Sequence, residues 1–148
     1  MSTPELNLSA AHAEVKAEIA RTDTKTGLLL AFVGAVLAGS WTVAEDVPLT
    51  APAAVAGGLG MGLLVAAAGL LLRSVRPNLG GRHGFPLWAT LTAEEITSVL
   101  ATDKAADIAG LSRIALAKFT GLKRAVDLTC AGGVLLILAA LLAAGGAA

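Results

Sequence analysis

Residues 21–44 read RTDTKTGLLLAFVGAVLAGSWTVA, and this stretch decides the fold. Three of its first six residues are charged (Arg21, Asp23 and Lys25), whereas the eighteen from Gly27 to Ala44 carry no charge. At 1.5 Å rise per residue a helix of that length covers about 27 Å, close to the hydrocarbon thickness of a bilayer. A helix buried in a water-soluble core is usually shorter or keeps a polar face. This run is apolar all round, the pattern of a helix immersed in lipid.

Two more runs repeat the signal outward from this one. Residues 53–72 and 128–144 are likewise free of Asp, Glu, Lys, Arg and His. The chain therefore divides into a polar amphipathic helix (1–26), a first span (27–44), a short connection (45–51), a second span (53–72), a loop with helices (73–127) and a third span (128–144). The expected fold is an all-α membrane protein, three transmembrane helices with helical cytoplasmic extensions. A two-span alternative would make 128–144 a buried helix.

Composition agrees with lipid. Apolar residues make up 55% of the 148 and charged residues 15%, while aromatic residues reach only 3% and tyrosine is absent. A water-soluble core of this size would draw more area from rings. Alanine, leucine and glycine instead suit close helix packing in a bilayer. The formal net charge is zero, so no global attraction to nucleic acid is expected. The single cysteine, Cys130, lies in an apolar run, which excludes a disulfide framework and a CxxC metal pattern. His12 and His83 are far apart in sequence, and no zinc site is expected. Twenty-six residues with several acids precede the first apolar run, so no cleavable signal peptide is expected.

Orientation follows from the bases. All eleven Lys and Arg fall within 1–26 and 73–127, and none within 45–51 or the C-terminal tip. Positive charge stays on the cytoplasmic side, which predicts a multi-pass membrane protein with its N-terminus inside and its C-terminus outside.

The polar segments carry helix signals of their own. Leu8, Ala11, Val15, Ile19 and Thr22 form one stripe, and nothing between Glu5 and Gly27 breaks a helix, so the first span should continue a helix of about 40 residues. Residues 75–88, VRPNLGGRHGFPLW, hold two prolines and three glycines and read as a loop. Thr92 and Glu95 have capping-box spacing at the start of a short helix over 93–101, and Asp103 is placed to cap the next. In that helix Ile108, Leu111, Ala115, Leu122 and Val126 share a stripe that runs toward the third span. Gly58 with Gly62, and Ala35 with Gly39, have the small-xxx-small spacing of close helix contacts in membranes.

No catalytic constellation stands out. GxSxG, HExxH and a Walker loop are all missing, and the glycine-rich run 57–62 sits inside an apolar span where packing explains it. The protein is not expected to be an enzyme or to hold a metal or cofactor. His83 reads most simply as a solvated loop histidine and Trp88 as an interfacial or packed ring, with a nucleotide contact the sharper alternative for either. The polar residues of the spans are Ser40, Thr42, Thr129 and Cys130. Ion and proton pathways usually need ionisable groups near mid-membrane, so a selective channel or proton-coupled transporter is disfavoured.

Three ordered stretches resemble the transmembrane effectors of Pycsar anti-phage systems. They are RTDTKTGLLLAFVGAVLAG, with Asp23, Lys25 and Gly27; VRPNLGG, with Arg76 and Pro77; and LSRIALAKFTGLKRAVDL, with Leu111, Ser112, Ile114, Lys118 and Leu122. The resemblance implies a partner cyclase that makes cyclic CMP or cyclic UMP on infection. It also implies an effector that then disrupts the inner membrane, so that the infected cell dies before phage mature. About fifty residues follow the second span before the third, so the ligand is expected in a helical pocket between subunits of a homo-oligomer. A cyclic phosphate is anionic and seeks Arg, Lys or a helix N-terminus. The candidate cations are Arg21, Lys25, Arg76, Arg82, Lys104, Arg113 and Lys118, with Asp23 added by the resemblance; the competing reading for each is that it only holds the cytoplasmic side in place. Two other functions remain open at this stage: a passive membrane anchor or assembly subunit, and a holin-like pore that needs no ligand.

Overall fold

The computed structural model describes residues 3–76, 87, 89–102 and 104–146. The expectations for Pro77, Arg82, His83, Trp88 and Asp103 fall outside these residues.

Among the described residues four long helices follow one another: α1 (Thr3–Asp46), α2 (Ala51–Val75), α3 (Ala93–Thr102) and α4 (Lys104–Gly145). No strand occurs among the described residues. α1 is 44 residues long and passes without a break from charged to apolar sequence at Gly27. It stops at Asp46, two residues before Pro48, whose ring disfavours helical geometry in the residue ahead of it. α4 does the same over 42 residues and carries Gly110 and Gly121 without interruption.

α1, α2 and α4 are each long and apolar enough to cross a membrane. Had the last run been a buried helix, most of it would be covered. Only 17% of the most apolar window of α4 is buried, against 6% for α1 and 28% for α2. The chain is a multi-pass membrane protein with three such helices.

It divides into two compact units, one of Met1–Asp23 with Arg76–Phe119, the other of Thr24–Val75 with Thr120–Ala148. In the second unit small residues share the core with Val33, Leu64 and Leu71, and many large apolar side chains lie outside it. Ala53, Ala67 and Ala125 are fully buried, and Gly60 and Gly132 are buried with them. The large ones outside include Leu28, Phe32, Leu59, Val65, Ile137 and Leu141. Water would penalise that outer surface at about 25 cal/mol per Å², but lipid does not. Between helices in lipid, backbone approach through small residues provides the attraction.

α2 turns the stripe Ala53, Ala56, Gly60, Leu64, Ala67 and Leu71 inward. It runs antiparallel to α4, since Gly60 meets Gly132, Leu135 and Leu136, Gly57 meets Ala139, and Thr50 meets Gly146. The close approach is therefore at Gly60 and Gly132, not at the small-xxx-small pairs expected from sequence. A Cβ added to Gly58, Gly62 or Gly39 would meet nothing within 4 Å. Gly58 and Gly62 each lie two residues from Gly60, about 200° around the helix, and so face away from α4. Val126 is a second correction. It is 40% exposed, while Ala125 is fully buried, because the inward face steps from Leu122 to Ala125 and Thr129 and not by four to Val126. Thr129 enters this apolar face by donating its hydroxyl to the Ala125 carbonyl at 2.8 Å, so no polar atom is stranded there.

Among the described residues of the first unit, Thr22 and Gly110 are the buried ones. α3 begins as its sequence requires: the Thr92 N–H donates to Glu95 Oε2 at 2.8 Å, and the Glu95 N–H donates to Thr92 Oγ1 at 3.4 Å. These two bonds satisfy backbone donors that the first helical turn leaves without partners.

Candidate functional site

Of the candidates, Arg21, Asp23, Lys104, Arg113 and Lys118 lie on α1 and α4 in the first unit. Asp23 and Lys118 are brought into contact: Lys118 Nζ donates to Asp23 Oδ1 at 2.5 Å. The lysine side chain is 22% exposed and the carboxylate 45%, so the pair sits at the margin of solvent with the ammonium the better covered. One residue before Asp23, Thr22 is buried and turns its hydroxyl onto the Glu18 carbonyl at 2.9 Å.

A second cross-helix contact involves residues that carried no functional expectation. His12 Nε2 lies 3.0 Å from Asp107 Oδ2, with side chains 23% and 19% exposed. A neutral imidazole holds this contact as a hydrogen bond, and an imidazolium strengthens it as an ion pair. Both contacts join residues 95 apart in sequence. Equal offsets mean that α1 and α4 run parallel here. The two contacts are also eleven residues apart on each helix, three turns and about 16 Å, which puts them on one face.

The other candidates stand apart from this pair. Arg21 is exposed and bonded within its own helix, its Nη1 3.1 Å from Glu18 Oε2. Arg76 and Arg113 are exposed and make no ion pair among the described residues. Lys25 belongs to the second unit and is also exposed. Arg82 lies outside the described residues, as does the side chain of Lys104.

Among the described residues Glu95 has a clearly displaced titration. Its carboxyl is held below the usual range, first by the Thr92 backbone N–H and then by the Thr92 side chain, both of which favour the charged form. Its role is to start α3. Among the described residues no group of three or more His, Cys, Asp and Glu is placed to hold a metal.

The sequence carried one unused signal for His12. Leu8, His12, Val15, Ile19 and Thr22 alternate four- and three-residue steps, and so do Ile108, Leu111, Ala115, Lys118 and Leu122. This is the spacing of a paired-helix seam. It places His12 and Lys118 on the facing sides and not among the solvated residues.

No curated protein and no solved structure matches the chain significantly. The Pycsar effector protein domain matches residues 7–145, nearly the whole length and all three apolar helices. The chain belongs to that family and takes its part in the Pycsar anti-phage system as a multi-pass membrane protein.

Proposed function

We propose that this protein is activated by a cyclic pyrimidine nucleotide, cyclic CMP or cyclic UMP, to disrupt the bacterial inner membrane and abort phage infection. The nucleotide comes from the cyclase of the same system. The protein acts as a homo-oligomer and without catalysis. Its polar unit is cytoplasmic and its C-terminus external, the arrangement favoured by the confinement of every Lys and Arg to 1–26 and 73–127.

One observation carries this reading. The two helices joined by Asp23 and Lys118 each continue unbroken into an apolar helix long enough to span a bilayer. A ligand that changes how α1 and α4 pair therefore acts on helices that continue into two of the spans. Lys118 supplies a cation that a cyclic phosphate would compete for against Asp23, and Arg113, Arg76, Lys25 and Arg21 are exposed nearby in sequence to these two or to the span ends. The ligand shifts the equilibrium only by binding the two arrangements with different affinity. The spans hold no ionisable group at mid-length, which supports breakdown of the barrier through helix assembly or bilayer disruption over selective conduction.

Expression with and without a pyrimidine cyclase tests the proposal. Growth arrest and dye uptake are expected only in the culture with the cyclase. Equal growth and unchanged dye uptake in both contradict it, and recovery of a stable stoichiometric partner from unstressed cells would favour the anchor reading instead.

A further inference from the structure

We infer that His12–Asp107 and Asp23–Lys118 together form a register latch, which holds α1 and α4 in one axial alignment and releases as a unit. Three observations carry it. The contacts share one sequence offset, 95, so any slide of α4 along α1 lengthens both by the same amount. They stand three turns apart on one face, so a tilt opens one and a rotation opens both. Among the described residues, few are buried along the surface between them. Thr22 and Gly110 are the buried residues described in this unit, and Val15, Ile19, Leu111 and Ala115 along the seam are only partly covered.

Large apolar side chains seated in matching holes hold a helix pair in one register. Where they are few, polar pairs at seam positions do so at a cost in stability, and their loss leaves neighbouring registers close in free energy. Such a pair of helices is bistable, as a switching element must be. The order of the charges adds direction. α1 presents His12 and then Asp23, and α4 presents Asp107 and then Lys118, so each contact is base with acid and the two are opposite in polarity. A parallel pair of α1 helices, or of α4 helices, in the same alignment would face like with like at both levels. The latch therefore favours α1 with α4 over either helix with its own copy while it is closed.

The inference relies on the reading of the protein as a gated membrane effector only for its consequence at the membrane, so the test separates the two. Full-length protein with Cys130→Ala would carry spin labels at Ala17→Cys and Ser112→Cys, two exposed positions that share the offset of the latch and lie between its contacts. Labelled protein is diluted with unlabelled protein in lipid nanodiscs, and the distance within one chain is measured by pulsed electron resonance. A single narrow distance is expected for the parent. Asp23→Lys or Lys118→Glu should broaden it or move it by about 5 Å, one helical turn, and Asp23→Lys with Lys118→Glu should restore it. If a reversal is not recovered in the membrane fraction, Asp23→Asn and Lys118→Gln take its place with the same expectation. An unchanged distance in the single variants overturns the latch, as does failure of the double variant to restore it. Dye uptake by cells producing the same variants, without cyclase, reads the membrane consequence. Uptake that rises in the single variants and falls back in the double one supports both inferences. A changed distance with parental uptake supports the latch and counts against membrane disruption.

Discussion

The Gly132 carbonyl oxygen lies 2.9 Å from where a Cβ on Gly60 would stand, and the Gly60 carbonyl lies 2.9 Å from a Cβ on Gly132. Each glycine is thus the space into which the other helix's backbone fits. Any side chain at either position meets backbone, which cannot move aside as a flexible side chain would. Gly60→Leu or Gly132→Leu should therefore weaken the α2–α4 pairing by about 1–3 kcal/mol, the usual cost of overfilling a packed site. Gly58→Leu and Gly62→Leu, in open space, should change it little. Unfolding in detergent micelles monitored by circular dichroism would read the difference, and equal effects at Gly58 and Gly60 would contradict this packing.

The start of α3 gives a test in the polar unit. Thr92→Ala removes the cap hydroxyl and should cost about 1 kcal/mol of helix stability. Glu95 adds a pH dependence whose sign is set by its lowered pKa. A carboxyl that ionises more readily when folded stabilises the fold fully above its ordinary unfolded value. It loses that contribution as pH falls through the lower folded value. Protection of the Thr92 and Glu95 amides, measured against their intrinsic exchange rates at each pH, should fall on acidification through that window. Glu95→Gln, which keeps the capping geometry, should remove the pH dependence.

Much of this architecture was legible before any coordinates, for a simple reason. Length and absence of charge set where a helix meets lipid, and both are local properties of 27–44, 53–72 and 128–144. The unbroken passage of α1 and α4 through the charged-to-apolar junctions was legible too, because no proline lies between Pro4 and Pro48 or after Pro86. The rotation of each helix about its own axis was harder to read. Gly58 and Gly62 match a contact motif better than Gly60 does, yet only Gly60 faces α4. Which side faces inward depends on a partner more than seventy residues away. The same holds for the site. Asp23 and Lys118 were readable as separate candidates, but their contact, and that of His12 with Asp107, exists only once α1 and α4 are parallel at one offset.

The exposed cations bear on ligand response. If Lys25 and Arg76 attract the cyclic phosphate, Lys25→Ala or Arg76→Ala should raise the nucleotide concentration needed for dye uptake by about tenfold or more, the loss of one charge-assisted bond. The amount of protein in the membrane fraction should not change. Loss of insertion would show instead that these residues set topology.

Orientation has its own check. A phosphatase fused after Ala148 should be active outside the inner membrane, and one placed within 103–107 should be inactive there. The reverse pattern would contradict the assignment of the basic segments to the cytosol.

Release of a trapped dye from liposomes holding only this purified protein tests the central claim most directly, since no cyclase, phage or host factor is present. Cyclic CMP or cyclic UMP, but not cyclic AMP, should release the dye at concentrations that leave protein-free liposomes intact. Liposomes that stay sealed with both pyrimidine nucleotides, or leak equally without any nucleotide, would contradict the account.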